Sequence, residues 1–363
     1  MTPRHLALTC ITLLLAACGG DPGYGPADSP PAPPPPPEVT LLAGSTTDVG
    51  CVDGPATIAR FGSTDGIAID RDGSVLVADG VCHAVRRVAA DGSVTTAVGR
   101  LNEAGDVQGS RNDARLITPG GLAIEPTSGQ LFIADRGAHR VLSVAPDTGV
   151  GNSGSVTSIM GRGTAGDTTV GAPPGGGNDA LGLPLRPRDD AALDRPTLLA
   201  AMMPGATELL MAEFGNQTLQ TIATTTTSQR PVDVLDRVLC AGISRINGGP
   251  GHACSSNSVI LVGDGTPGNR RVLAGVPGEV GHVDGIGDAA RFTGPTAMVM
   301  DSPETLLVAD QRSLRRVRLA NGEVSTAVAQ VGQFGRIGHI ALAADGRTVF
   351  FTTARGVGRV VLP

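Results

Sequence analysis

The chain predicts an all-β fold, a six-bladed β-propeller of four-stranded antiparallel blades whose N-terminal strand completes the last blade. Two observations carry this. The stretch GIAIDRDGSVLVAD (Gly66–Asp79) recurs as GLAIEPTSGQLFIAD (Gly121–Asp135), LLAAMMPGATELLMAE (Leu198–Glu213), AMVMDSPETLLVAD (Ala297–Asp310) and IALAADGRTVFFTT (Ile340–Thr353). Each copy is a short apolar strand, a tight polar turn and a second strand, and regular recurrence of such a unit marks a repeat architecture. No window after the first residues sustains an apolar period of 3.6, so helices are not expected.

The remaining elements follow in order around each hairpin. An Ala-x-hydrophobic lead precedes it: Ala59-Arg60-Phe61, Ala114-Arg115-Leu116, Ala191-Ala192-Leu193 and Ala290-Arg291-Phe292. A third strand with basic residues follows, as in AVRRVAADG (Ala84–Gly92) and LRRVRLANG (Leu314–Gly322). A fourth comes next: VTTAVG (Val94–Gly99), VTSIMG (Val156–Gly161) and VSTAV (Val324–Val328). Four short strands joined by polar turns make one propeller blade.

These motifs resemble the NHL-repeat family of β-propellers, whose unit runs from a "V-T-T-L-A-G" strand through "D-G" to "A-x-F-x-x-P-x-G-v-A-v-D" and "v-Y-V-A-D-x-x-N-H-x-I-R". The matching residues are Asp53-Gly54, Asp284-Gly285, Pro119, Pro295, Ala78-Asp79, Ala134-Asp135, Ala309-Asp310, His83 and His139. The resemblance covers the chain after residue 38, weakens between Thr224 and Asn269, and implies six blades. The interval from Leu193 to Phe292 is too long for one blade, and SVILVGDG (Ser258–Gly265) aligns with SVLVADG (Ser74–Gly80) to supply a degenerate one. Second strands would then end at Asp79, Asp135, Glu213, Asp264, Asp310 and Thr353; five blades with a long excursion is the alternative. The chain ends on RVVLP after three strands of the last blade and opens that blade's fourth with VTLLAG (Val39–Gly44), so the N-terminal strand should close the ring. Closure removes exposed sheet edges.

The composition fits one large all-β domain: 363 residues, 40% hydrophobic, 17% charged, with only 2% aromatic, so Val, Ile, Leu and Ala must do the packing. Net charge is −6 without a basic stripe, which excludes a nucleic-acid partner. At the N-terminus, Arg4 and His5 precede an apolar run, Leu6–Ala17, too short to span a bilayer and read as a signal peptide over residues 1–17. Leu15-Ala16-Ala17-Cys18 resembles the bacterial lipobox, which implies cleavage before Cys18 and its lipidation. Residues 18–38 then form the anchor and a Pro-rich tether, extended as polyproline II, and residues 39–363 the propeller. Gly19 resembles the residue that permits sorting to the outer membrane.

Cys51, Cys82, Cys240 and Cys254 remain, and four cysteines in an exported chain suggest two disulfides with three connectivities. In a propeller of this kind Cys51 lies on the loop entering the first blade and Cys82 on the loop joining its second and third strands. Both loops are on one face, so Cys51–Cys82 is the natural pair, and Cys240–Cys254 closes a local loop. A zinc site is the rival reading, but CxxC spacing is missing.

Asp79, Asp135, Glu213, Asp264 and Asp310 share a repeat position and should ring one face. They mark a candidate ligand face; the architectural reading, in which each acid caps its turn through backbone N–H groups, outweighs a cation site. His83 and His139 fall at the family's own "N-H" position and are structural. His282 stands where the first blade has Cys51, His252 lies between Cys240 and Cys254, and His339 opens the last blade. Convergence of these last three on a metal is conceivable, but nothing in the spacing requires it. Gly-x-Ser-x-Gly is missing, and DRDGS (Asp70–Ser74) lacks the rest of a calcium loop. No catalytic residue, cofactor or metal is therefore expected. Two non-repeating stretches, Gly161–Asp190 and Cys240–Cys254, are candidates for functional loops.

The leading functional reading is a monomeric lipoprotein of the cell envelope, held in the outer membrane, that binds a protein or carbohydrate on its loop-rich face. A propeller enzyme (a metal-dependent lactonase, a lyase or a strictosidine-synthase-like hydrolase) is the alternative, and a purely structural envelope component a third. An enzyme would need polar ligands converging at the channel.

Overall fold

The computed structural model describes residues 37–146, 154–160, 196–200, 207–213, 218–224, 231–237, 240–246, 251–266, 269–331 and 334–363. Cys18, with the whole targeting segment and the tether to residue 36, and the insertion Gly161–Asp190 lie outside the described residues.

The strands are β1 (Val39–Gly44), then β2 (Thr64–Ile69), β3 (Val75–Asp79), β4 (Ala84–Val88) and β5 (Val94–Gly99) of the first sheet. The second sheet holds β6 (Gly109–Ser110), β7 (Pro119–Ile124), β8 (Leu131–Asp135), β9 (Arg140–Val144) and β10 (Ser155–Met160). The third has β11 (Pro196–Leu199), β12 (Glu208–Glu213), β13 (Thr218–Ala223) and β14 (Pro231–Arg237). The fourth has β15 (Gly242–Arg245), β16 (His252–Ser256), β17 (Val259–Gly263) and β18 (Arg270–Ala274). In the fifth are β19 (Gly285–Ile286), β20 (Pro295–Ser302), β21 (Thr305–Asp310), β22 (Ser313–Arg318) and β23 (Glu323–Val328). The last combines β24 (Ile340–Leu342), β25 (Thr348–Thr352) and β26 (Gly356–Val361) with β1. All pairing is antiparallel within these six sheets.

The sheets stand around a circle. The first strands β2, β7, β11, β15, β20 and β24 neighbour one another in sequence, and β24 also neighbours β2. Six apolar clusters fill the gaps between consecutive sheets, from the one holding Leu76 and Ile133 to the one joining Val357 to Phe61 and Val77. Each sheet is thus covered on both faces. That explains why β3 and β8 read as unbroken apolar runs and are buried at every residue. The inner strands approach closely where side chains are missing: a Cβ on Gly66 would lie 2.4 Å from the carbonyl oxygen of Gly120, so only glycine fits there. β1 pairs with β26 from Val39↔Val360 to Gly44↔Gly356, as the closure reading requires.

Two expectations need correction. SVILVGDG forms a strand of the fourth sheet, but β17 is that sheet's third strand, not its second. The second is β16, and the two are joined by a two-residue turn, Asn257-Ser258, both with positive φ (46° and 66°), the geometry of a tight hairpin. Asp264 therefore follows a third strand and does not occupy the repeat position of Asp79. The stretch Cys240–Cys254, expected as a loop, is the hairpin β15–β16, with His252 buried in β16.

Candidate functional site

Asp79, Asp135 and Asp310, which end second strands, are architectural. Asp79 is fully buried and accepts hydrogen bonds from the backbone N–H groups of Gly62 (3.1 Å), Ser63 (2.9 Å) and Cys82 (3.3 Å). Arg86 of β4, equally buried, reaches Asp79 at 3.4 Å and Asp53 at 2.5 Å, and lies 5.2 Å from the Phe61 ring centroid. The pattern repeats. Asp135 takes the N–H groups of Ile117 and Thr118 and pairs with Arg140, which also pairs with Asp106. Asp310 takes those of Thr293 and Gly294 and pairs with Arg315, which holds Asp284 at 2.7 Å and stacks on Phe292. Each carboxylate thus fastens the segment entering its sheet to the second strand, and each arginine ties in the loop outside. They reach beyond their own turns, which is more than capping.

The surroundings set two of these acids apart. Burial pushes the Asp135 carboxyl up, against the hydrogen bond from Thr118 and the charge of Arg140. Asp284 is also raised by its partial burial, but hydrogen bonds from Arg315 and Thr326 outweigh that and hold it below the usual carboxylate range. Asp264 is exposed and accepts hydrogen bonds from Thr266 N–H and Asn269 Nδ2, which lower it. Glu213 ends β12, and its side chain lies outside the described residues.

Both disulfides are present, Cys51–Cys82 and Cys240–Cys254. The first joins the loop entering the first sheet to the turn between β3 and β4, which puts both on one face. Cys51, Asp106 and His282 hold the same place, one residue after Gly50, Gly105 and Gly281, whose N–H groups donate to Phe61, Leu116 and Phe292. One position thus carries a disulfide, an ion pair with Arg140, and a histidine 3.7 Å from Asp310. His83 and His139 have φ of 60° and 49° at the turn into the third strand, so they serve the turn. Among the described residues no three His, Cys, Asp or Glu gather as metal ligands, and His252, His282 and His339 stay apart.

On that same face, at the centre of the ring, polar side chains from the first and second sheets and from the segment entering the last form an arc. Asp65 of β2 is held by Arg136 of the second sheet at 2.9 Å and by His339 at 3.3 Å. The segment from Arg336 to His339 crosses from the fifth sheet, where the Ile337 N–H donates to the Gln311 carbonyl, to β25, where the Gly338 N–H donates to Thr352. Arg136 and His339 are half-buried, Arg336 exposed. Sequence reading named only His339 here. Asp65 carried a signal that went unused: it stands where the second and fifth sheets have Gly120 and Thr296, by their registers with Asp135 and Asp310.

A scan of family models gives no match, and no curated protein matches the sequence. Solved structures do. One from Bacteroides thetaiotaomicron, a protein of unknown function, is 16% identical with a TM-score of 0.65 over 90% of this chain and 76% of its own. The fold is that of a β-propeller. An auxiliary nutrient binding protein from the same organism (13% identical, TM-score 0.60, covering 89% of this chain and 76% of that one) is similar. So is a gluconolactonase from Xanthomonas campestris, 12% identical with a TM-score of 0.56 over 90% of each chain. At such identities the likeness is one of fold alone.

Proposed function

We propose that this chain is a binding propeller of NHL type, lipid-anchored in the bacterial envelope through Cys18, whose loop face receives a protein or carbohydrate partner at its centre. The arc of Arg136, Asp65 and His339, with Arg336 beside it, carries the reading. Asp79, Asp135 and Asp310 are consumed in bracing the sheets, whereas this arc is unrepeated, draws on the first, second and last sheets and leaves Arg136 partly open to solvent, as a site built on a scaffold does. The nutrient-binding neighbour agrees with a binding role. Anchoring rests on the sequence Leu15–Cys18 and the Pro-rich stretch behind it.

One set of variants tests both halves. Cys18→Ser should release the full chain from the membrane fraction or leave the precursor unprocessed; unchanged fractionation and mature mass would remove the anchor. On a glycan and envelope-protein array, His339→Ala should lose the partner that Arg71→Ala, on the opposite tight-turn face, retains. Loss confined to Arg71→Ala would reverse the face. Lactone hydrolysis abolished by Asp65→Asn would replace binding with catalysis.

A further inference from the structure

Three sheets cover the outward edge of their last strand in one way. In the first, Gly54 exchanges backbone hydrogen bonds with Val94 of β5 (2.9 and 2.8 Å), and Asp53 accepts the Thr96 N–H at 2.9 Å. In the second, Gly109 pairs with Val156 of β10, and the Gln108 side chain accepts the Ser158 N–H at 2.9 Å. In the fifth, Gly285 pairs with Val324 of β23, and Asp284 accepts the Thr326 N–H at 2.9 Å. The cover is each time the segment entering that same sheet, and it reads Val52-Asp53-Gly54, Val107-Gln108-Gly109 and Val283-Asp284-Gly285. Gly54 and Gly109 have φ of 140° and 142°, which favours glycine at the bridge.

The last sheet lacks this cover. Its outermost strand is β1, where Val39 and Leu41 match Val94 and Thr96: Leu41 faces Gly358 as Thr96 faces Arg86, and the same register shift follows each. The segment entering this sheet, residues 329–339, is shorter than residues 45–63, 100–118 or 275–294 and holds no such triplet. Among the described residues no hydrogen bond reaches β1 beyond its ladder with β26, so the N–H groups of Val39 and Leu41 and the Val39 carbonyl face outward unpartnered. The chain ahead of β1 is unsuited to fill the place. Residues 30–37 are all Pro except Ala32 and so lack N–H groups, and residues 1–38 hold no Asp-Gly, Asn-Gly or Gln-Gly pair. In the fourth sheet the outermost strand, β18, opens with Arg270 and Arg271, charges that guard an edge; Val39-Thr40-Leu41-Leu42 has none.

We propose that the outer edge of β1 docks an extended segment of a partner protein that carries Asp, Asn or Gln followed by Gly. The glycine backbone pairs with Val39, and the side chain before it accepts the Leu41 N–H, as the entering segments do in the other three sheets. Strand addition of this kind takes its affinity from the main chain and its selectivity from side chains. The edge lies away from the arc, so this inference stands or falls apart from the reading above. A second copy's β1 is a poorer match, since VTLLAG offers Leu41 neither a carboxylate nor an amide.

The probe is the acetylated and amidated peptide GHVDGIGD, the sequence of residues 281–288, added to the full chain in detergent. Amide hydrogen exchange should slow across Val39–Gly44 and stay unchanged across Val94–Gly99, whose edge is already bonded. Replacing the peptide's Asp by Leu, or methylating the nitrogen of the Gly that follows it, should each weaken binding at least about tenfold. Leu41→Pro should abolish binding, since it removes the outward donor at a place where an edge strand accepts proline. The two altered peptides leave the protein untouched, so a failure of Leu41→Pro to fold would not remove the test. Unchanged exchange across Val39–Gly44 at millimolar peptide, or equal binding of the methylated peptide, overturns the site. Self-association of the parent that Leu41→Pro abolishes would give the edge to a second copy and overturn the partner.

Discussion

The first and fourth sheets solve one problem with different chemistry. In both, the segment entering the sheet must be held to the second strand. The first sheet does so with Asp79, which grips the N–H groups of Gly62 and Ser63 and is itself held by Arg86. The fourth has no arginine in β17 and uses a covalent bond, Cys240 before β15 to Cys254 in β16. A carboxylate brace needs two buried charges in register and therefore imposes a sequence pattern. The first sheet keeps that pattern and adds Cys51–Cys82 to it, whereas in the fourth the disulfide stands alone, and this is where the repeat fades.

The comparison can be broken from its charged side first. Arg86→Ala leaves Asp79 buried without its cation and removes the stacking on Phe61, so a loss of about 3–5 kcal/mol is expected in denaturant unfolding. A loss below about 1 kcal/mol would mean that the backbone donors alone hold the carboxylate. Next comes the covalent side. Replacing Cys240 and Cys254 together by Ala opens a short loop, sequence separation 14, and should cost about 3 kcal/mol on the same scale. If the cost were negligible, the hairpin β15–β16 would be held by its ladder alone, and the disulfide would not stand in for the brace.

The smallest effects concern pH, and they have opposite signs. Asp284 titrates below its unfolded value, so its contribution is present above about pH 4 and is lost as pH falls through its folded pKa. It is half-exposed, and Asp284→Asn should cost under about 1 kcal/mol at neutral pH while flattening the acid limb. Asp135 titrates above its unfolded value, so the folded state keeps the proton longer and stability falls as pH rises from about 4 through the folded pKa. Asp135→Asn should remove that fall. Melting temperatures measured from acid to neutral pH for both variants check the two signs, and parallel profiles would contradict them.

Much of the scaffold was legible because it is repeated. Hairpins such as β2–β3 and β20–β21 announce themselves by apolar runs around Asp70–Gly73 or Ser302–Glu304, and the closing strand by its fourth-strand signature. The Cys51–Cys82 pair could be read because a propeller puts both loops on one face. Asp264 was misplaced for a physical reason. Second and third strands are both apolar and buried, so SVILVGDG resembles either, and only the Asn257-Ser258 turn decides. The arc was not legible. Asp65, Arg136 and His339 span 275 positions of sequence, from 65 to 339, and are joined only when the first, second and last sheets meet.

The pairing of Val39 with Val360 has a kinetic consequence. It joins residues 321 positions apart, and closing so long a loop costs roughly 5 kcal/mol of chain entropy before the strand returns anything. Among the described residues, every other ladder joins strands far closer in the chain, the widest being β6 with β10. The nascent protein can therefore assemble most of its sheets as it emerges, while its first strand waits for its last. Until then the molecule is an open arc with a bare edge at each end, and this is when it is most exposed to pairing with another copy. Moving β1 behind Pro363 in a permuted chain would turn the slowest closure into a local hairpin and shorten that interval.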